Sequence, residues 1–246
     1  MLDVLERPAP HSAPATHALP GPALVELRQY TLHPGRRDEL VALFEREFCQ
    51  TQEDAGIHVI GQFRDLDDPD CFVWLRGFDD MDQRRQALER FYGGPVWQTH
   101  RDAANATMID SDNVLLLRPL DEGRPTFASP RDVLSDDARI VICLHHFDAP
   151  VSEEWRQHFE QVQRPWLEGM HAQVLATLVV EPSPNTFPAL PVREGEHVFV
   201  CVLQFASEAE HERCDRQLQA PWRIGDQPRR CELLRLAPTS RSRLGR

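Results

Sequence analysis

The chain contains no lysine: all 27 of its Lys and Arg residues are arginine, within 246 residues. That excludes an enzyme built on a lysine Schiff base, and a P-loop with its phosphate-binding lysine. Apolar runs are short, and none approaches the ~18 residues that a membrane-spanning helix needs. Positive charge is scarce, with a formal net charge of −12. Nucleic acid and anionic membrane both need cations to displace their counterions, so neither is expected as a partner. The six cysteines (49, 71, 143, 201, 214 and 231) never form CxxC. Four of them (71, 143, 201 and 231) fall inside expected strands and read as small buried hydrophobes, which points to reduced thiols in the cytoplasm.

Catalytic signatures are also missing. There is no GxSxG, no GxGxxG and no HExxH, so no cofactor or metal is called for. His145 and His146 are neighbours on an expected strand and point to opposite faces, so they cannot share a metal. The acidic stretch Asp65 to Asp70 lacks the Gly and Glu spacing of a calcium loop and reads as a hairpin turn. Residues 1–21 are rich in Pro and Ala, without the basic start and apolar run of a secretory signal or the arginines of a mitochondrial presequence. They read as a disordered leader.

What is present is a repeat. Alternation of period 2 and stripes of period 3.6 predict strand 24–32, helix 36–53, strands 57–64 and 71–78, helix 80–107 and strand 112–118. The second helix is expected to break at Gly93-Gly94-Pro95. The same order then returns as strand 139–147, helix 152–168, strands 172–181 and 197–206, helix 207–219 and strand 230–236. Phe72-Val-Trp-Leu-Arg-Gly-Phe78 reappears in degenerate form as Phe199-Val-Cys-Val-Leu-Gln-Phe205. The expected organisation is a leader at 1–21, a first unit at 22–119, a linker at 120–136, a second unit at 137–238 and a disordered tail at 239–246. Each βαββαβ unit leaves one sheet face to be covered, and two copies can cover each other. The expected fold is therefore α+β, two tandem ferredoxin-like units paired into one barrel within the chain. Further pairing into a homodimer stays open.

In the first unit, Val25, Leu27, Val59, Val73 and Leu75 make one aliphatic strand face. The opposite face carries Glu26, Arg28, Tyr30, His58, Gln62, Arg64, Phe72, Trp74 and Arg76. Its equivalents in the second unit are smaller and less charged (Val141, Cys143, His145, Phe199, Cys201 and Leu203). A working site is therefore expected in the first unit. On the helix that follows Pro95, Trp97, His100, Arg101 and Asn105 recur at i, i+3, i+4 and i+8 and share a face. An indole, an imidazole, a guanidinium and an amide suit a planar or anionic ligand, with arginine gripping an oxyanion. His100 is placed to move a proton. Arg28, Tyr30, Gln62 and Trp74 form the opposite wall if their face meets the helices. If it lies inside the barrel, they form a polar network between the units.

Five strings resemble the NIPSNAP family of the dimeric α/β-barrel superfamily. They are Glu26-Leu-Arg-Gln-Tyr30, Gly61-Gln-Phe-Arg64, Phe72-Val-Trp-Leu-Arg-Gly-Phe78, His100-Arg-Asp-Ala-Ala-Asn-Ala-Thr-Met108 and Asp112-Asn-Val-Leu-Leu-Leu-Arg-Pro119. In the second unit Leu190-Pro-Val-Arg-Glu-Gly-Glu196 is similar to tandem bacterial members. The resemblance implies the paired barrel and leaves the chemistry undefined; superfamily relatives commonly bind ligands between sheet and helices.

Two functions follow as expectations. In the first, the first unit binds a small aromatic or anionic metabolite, as a cofactor-independent enzyme if it is one. His100 and Arg101 would be the catalytic pair, and Arg28, Tyr30, Gln62, Trp74, Trp97 and Asn105 the binding residues. In the second, the protein is a non-catalytic scaffold whose Pro-rich loop 182–196 contacts a partner.

Overall fold

In the computed structural model the described residues are 21–121, 126–129, 134–218 and 228–246. Most of the expected leader, part of the linker, Gln219 at the end of the last expected helix, and Pro221-Trp222 lie outside them. The first half runs β1 (Leu24–Leu32), α1 (Arg37–Leu43), a π-helical turn (Phe44–Phe48), α2 (Cys49–Asp54), β2 (His58–Asp65), β3 (Cys71–Phe78), α3 (Met81–Gly93), α4 (Pro95–Asn105) and β4 (Met108–Pro119). The second half runs β5 (Arg139–Phe147), α5 (Glu153–His158), a second π-helical turn (Phe159–Gln163), α6 (Arg164–Gly169), β6 (Gln173–Val180), β7 (His197–Phe205), α7 (Glu208–Leu218) and β8 (Arg230–Pro238).

The eight strands close into a barrel in the order β1-β3-β2-β8-β5-β7-β6-β4. Each half contributes four adjacent strands, in the order fourth, first, third, second. Two short antiparallel seams join the halves: Phe63 to Asp65 beside Leu236 to Pro238, and Leu117 to Pro119 beside Leu178 to Val180. The barrel interior is aliphatic and drawn from both halves, including Val25, Leu27, Val73, Leu75, Ile140, Ile142, Val200 and Val202. The helices cover the outer faces, and a separate apolar cluster lies beneath each set.

Local chemistry explains the element ends. Asp80 accepts hydrogen bonds from the backbone N–H groups of Asp82 and Gln83 and so caps α3. Gly94-Pro95 stops that helix and starts α4, with Pro at its first position. Gly56 holds φ +88° just past α2, a conformation that costs other residues strain. The π-helical turns sit at matching places in both halves, where periodicity alone predicts one continuous helix.

Three sequence expectations need correction. A bulge between Val59 and Gly61 shifts the register of β2, so Val59 joins the helix side and Ile60 takes the interior place. Residues 239–246 are not a disordered tail. Leu244 is buried in the barrel core, the Gln62 N–H donates to Ser242 Oγ, and the Arg241 N–H donates to Glu45. In the linker Thr126 donates to the Pro22 carbonyl at 2.6 Å, and Phe127 packs on the interior cluster. Of the four strand cysteines expected to be buried, Cys143 and Cys201 are, but Cys71 is half-buried and Cys231 is exposed.

Candidate functional site

The polar face of the first sheet meets the helices, not the barrel interior. Glu26 and Arg28 of β1 lie opposite Arg76 and Trp74 of β3, and all four are buried. Arg84 of α3 comes down onto the same layer. Its position follows from the Asp80 cap: Arg84 stands one turn further on, in the stripe that continues through Ala87, Leu88 and Phe91. A guanidinium thus occupies an apolar helix face.

Three guanidiniums converge on one carboxylate. Arg28 Nη1 donates to Glu26 Oε2 at 2.8 Å, Arg76 Nε to the same oxygen at 2.7 Å, and Arg84 Nε to Oε1 at 2.7 Å. Glu26, Arg76 and Arg84 are 0% exposed and Arg28 is 1%. Burial works against the charge of Glu26, but Arg76, Arg28 and Arg84 outweigh it and hold the carboxyl far below the usual range. Among the described residues Glu26 is the one carboxylate paired with these arginines, so two positive charges are left over.

The rest of the shell is aromatic or neutral. Arg28 Nε donates to the Tyr30 hydroxyl at 3.0 Å; burial, ahead of any charge, raises the pKa of that phenol. The Arg76 guanidinium lies 5.0 Å from the Trp74 ring centroid and 6.0 Å from that of Tyr92, within cation–π range. Arg84 Nη1 donates to Asn185 Oδ1 at 3.0 Å and to Thr186 Oγ1 at 3.3 Å. Arg84 Nη2, Gln52 Nε2 and Trp74 Nε1 are buried donors without a hydrogen-bond acceptor among the described residues, and the Gln62 amide is buried likewise.

The loop between β6 and β7 crosses over to this site from the other half. The Glu181 and Arg193 N–H groups donate to the Leu116 and Val114 carbonyls of β4, at 2.9 and 2.8 Å. Phe187 stacks on Tyr92 with centroids 6.0 Å apart and planes at 25°. Beside the loop is a cavity of about 500 Å³, walled by Leu116, Arg118, Val179, Pro184, Val192 and Val198 among others.

The structure gathers the sequence candidates only in part. Arg28, Tyr30, Gln62 and Trp74 share the buried layer. Trp97 packs against Phe48, Phe91 and Tyr92, with centroids 4.8 to 5.7 Å apart, and borders the layer. His100 lies edge-on to Phe48, with Nε2 3.5 Å from Glu47. Arg101 and Asn105 are exposed on α4; Arg101 donates to Gln98 at 2.9 Å and does not reach the cluster. A smaller cavity of about 240 Å³ is lined by Arg90, Phe91 and Trp97, and neither His100 nor Arg101 borders it. Arg84, Asn185 and Thr186 escaped the sequence reading. Arg84 carried a signal, an arginine in an apolar helical stripe, whereas nothing in a Pro-rich loop marks Asn185 and Thr186 as reaching the opposite half.

The NIPSNAP family model matches residues 25–122. A NIPSNAP-like domain protein of Burkholderia xenovorans is 27% identical over 44% of this chain and 89% of that one, with a TM-score of 0.38. Two solved structures align with nearly the whole chain. A candidate monooxygenase of Fusobacterium nucleatum is 7% identical over 89% of this chain and 93% of that one, with a TM-score of 0.53. One of Lactobacillus acidophilus is 12% identical over 87% and 93%, with a TM-score of 0.50. These two likenesses concern the fold alone. No curated protein matches the sequence.

Proposed function

We propose that the first half is a binding domain for a small anionic molecule, held between its sheet and helices by Arg28, Arg76 and Arg84. The surplus of two buried positive charges carries this reading. Arginine cannot shed its proton inside a protein, and an unpaired buried charge costs several kcal/mol. A carboxylate, phosphate or enolate entering the layer would offset that cost and satisfy Arg84 Nη2. Trp74, Tyr30 and Tyr92 would bound a planar body, with Gln62 and Trp97 at its edges.

The wider organisation belongs to the same proposal: two tandem ferredoxin-like units, 22–119 and 137–238, of which the first carries the three-arginine cluster in its layer. At the places of Glu26, Arg28 and Trp74 the second half has Val141, Cys143 and Cys201, all buried among apolar neighbours. The reading is one of binding. The catalytic roles expected of His100 and Arg101 draw no support from where those side chains lie. The scaffold alternative gave loop 182–196 to an outside partner. That loop spends Asn185, Thr186, Phe187 and Arg193 on the first half of its own chain.

Native mass spectrometry of untagged protein purified from a bacterial host tests the proposal. A retained anionic species of a few hundred daltons, lost in Arg28→Gln, is the expected result. A wild-type mass that stays that of the bare chain after incubation with millimolar phosphate or carboxylates would contradict it.

A further inference from the structure

The anion site and the cavity of about 500 Å³ are separated by a few residues of one loop. Pro184 walls the cavity, and its neighbour Asn185 accepts from Arg84. On the sheet, Leu116 walls the cavity and lies directly opposite Glu26 in the β1–β4 pair. The charge cluster and the cavity therefore approach each other at the 184–186 segment. Their chemistries are complementary. One side is a cluster with two positive charges in excess. The other has Leu116, Val151, Val179, Val180, Val192 and Val198 in its wall.

The charged groups at the cavity already have partners. Glu181 accepts from the Ser183 N–H and hydroxyl. Glu194 accepts from the Asn185 N–H. Glu196 is paired with Arg193 at 2.6 Å, Arg156 donates to the Leu120 carbonyl, and Arg118 lies 3.8 Å from Glu181. The cavity floor is left to aliphatic side chains. At the boundary, the two oxygens that Arg84 Nη1 uses are both neutral, Asn185 Oδ1 and Thr186 Oγ1. A carboxylate accepts from a guanidinium more strongly than either.

We propose that the ligand is an amphiphilic carboxylic acid, with its head on Arg84 in place of Asn185 and Thr186 and its apolar body in the cavity beside the loop. This rests on the anion-binding reading above and adds the second, apolar half of the ligand. The loop of the second half then acts as the gate of the first half's site, and Asn185 as its specificity-determining residue.

Isothermal titration of the full chain with acetate, butanoate, hexanoate and octanoate, and with 1-octanol as the uncharged control, tests this. Affinity is expected to rise with chain length, by up to about fourfold for each methylene buried, and the alcohol is expected not to bind. Val192→Asp should weaken octanoate at least tenfold while leaving acetate unchanged. Arg84→Gln should abolish binding of every acid. Because that core change can unfold the protein, Asn185→Asp on the loop serves as the second variant: a fixed carboxylate beside Arg84 should weaken every acid. Length-independent binding that is lost in Asn185→Asp but untouched by Val192→Asp would overturn the amphiphile and leave the anion site standing. Octanol binding as tightly as octanoate would overturn it as well. Failure of every acid to bind would overturn both readings.

Discussion

Arg84 on α3 of the first half donates to Asn185 on the β6–β7 loop of the second, at 3.0 Å. One bond thus links a guanidinium in the buried charge cluster to a loop that a reading of the second half alone would leave idle. Thr186 adds a second acceptor to Arg84 and itself donates to the Met81 carbonyl at 3.2 Å. The two halves are joined at the site as well as along the barrel seams.

The charge cluster should be the most sensitive point in the fold. Glu26→Gln removes the one carboxylate among three buried arginines and should cost about 3–5 kcal/mol. For a chain of this size that is a fall in Tm of very roughly 6–20 °C. Phosphate should raise the melting temperature of the variant more than that of the wild type, because three cations then await an anion. Melting curves with and without phosphate at fixed ionic strength would show this, and equal shifts in the two proteins would count against the cluster as an anion site.

The loop should loosen when its aromatic contact is removed. Phe187→Ala loses the stacking on Tyr92, an interaction of about 0.5–1.5 kcal/mol beyond burial. Limited proteolysis should then cut within 182–196 faster than in the wild type, with the barrel products unchanged. Unaltered cleavage there would mean that Phe187 does not hold the loop.

Stability should fall as the pH drops below the ordinary histidine value of 6.5. Burial, reinforced by the charge of His146, pushes His145 down to about 3 from its ordinary 6.5. The folded state keeps the ring neutral between those values, while the unfolded chain takes up a proton. The stabilisation is thus complete above pH 6.5 and is lost as pH falls towards 3, at up to about 1.4 kcal/mol per pH unit. His146 and His211 are shifted down too, burial leading in both, and they steepen the trend. His145→Gln should flatten the slope of unfolding free energy between pH 7 and 5, measured by urea titration. An unchanged slope would place the pH dependence elsewhere.

The C-terminal segment should be part of the core. Leu244 is 8% exposed in the barrel cluster, and Leu244→Ala should cost about 2–5 kcal/mol. A loss below about 0.5 kcal/mol would show that the segment does not contribute.

Much of the architecture was written in local patterns. Alternation alone placed β1, β3 and β5 at their observed ends, and Gly93-Gly94-Pro95 marked the break between α3 and α4. Leu244 was illegible because a single leucine among Ser, Arg and Gly has no periodicity; only the barrel it plugs gives it a place. The bulge at Val59 to Gly61 was hidden for a related reason. One extra residue reverses alternation, and its one local mark is Gly61 within the strand. At the site, the charged face of β1 and β3 stood out because buried strands rarely carry arginine. The direction of that face could not be read, since both sheet faces are covered. Asn185 could not be found from sequence because its partner lies 101 positions away, in the other half. The spacing of Trp97, His100, Arg101 and Asn105 predicted one shared helical face. Only Trp97 and His100 turn inward, against Phe48, while Arg101 finds Gln98 on its own helix.

The most direct test of the central claim is the melting temperature of the wild-type protein as phosphate or acetate replaces chloride at constant ionic strength and pH. Two unmatched buried positive charges predict a midpoint that climbs with the logarithm of anion concentration once the dissociation constant is passed. They also predict that Arg76→Gln, which removes one of those charges, reduces the climb. A midpoint independent of the anion in both proteins would contradict the claim and return the cluster to a purely structural role.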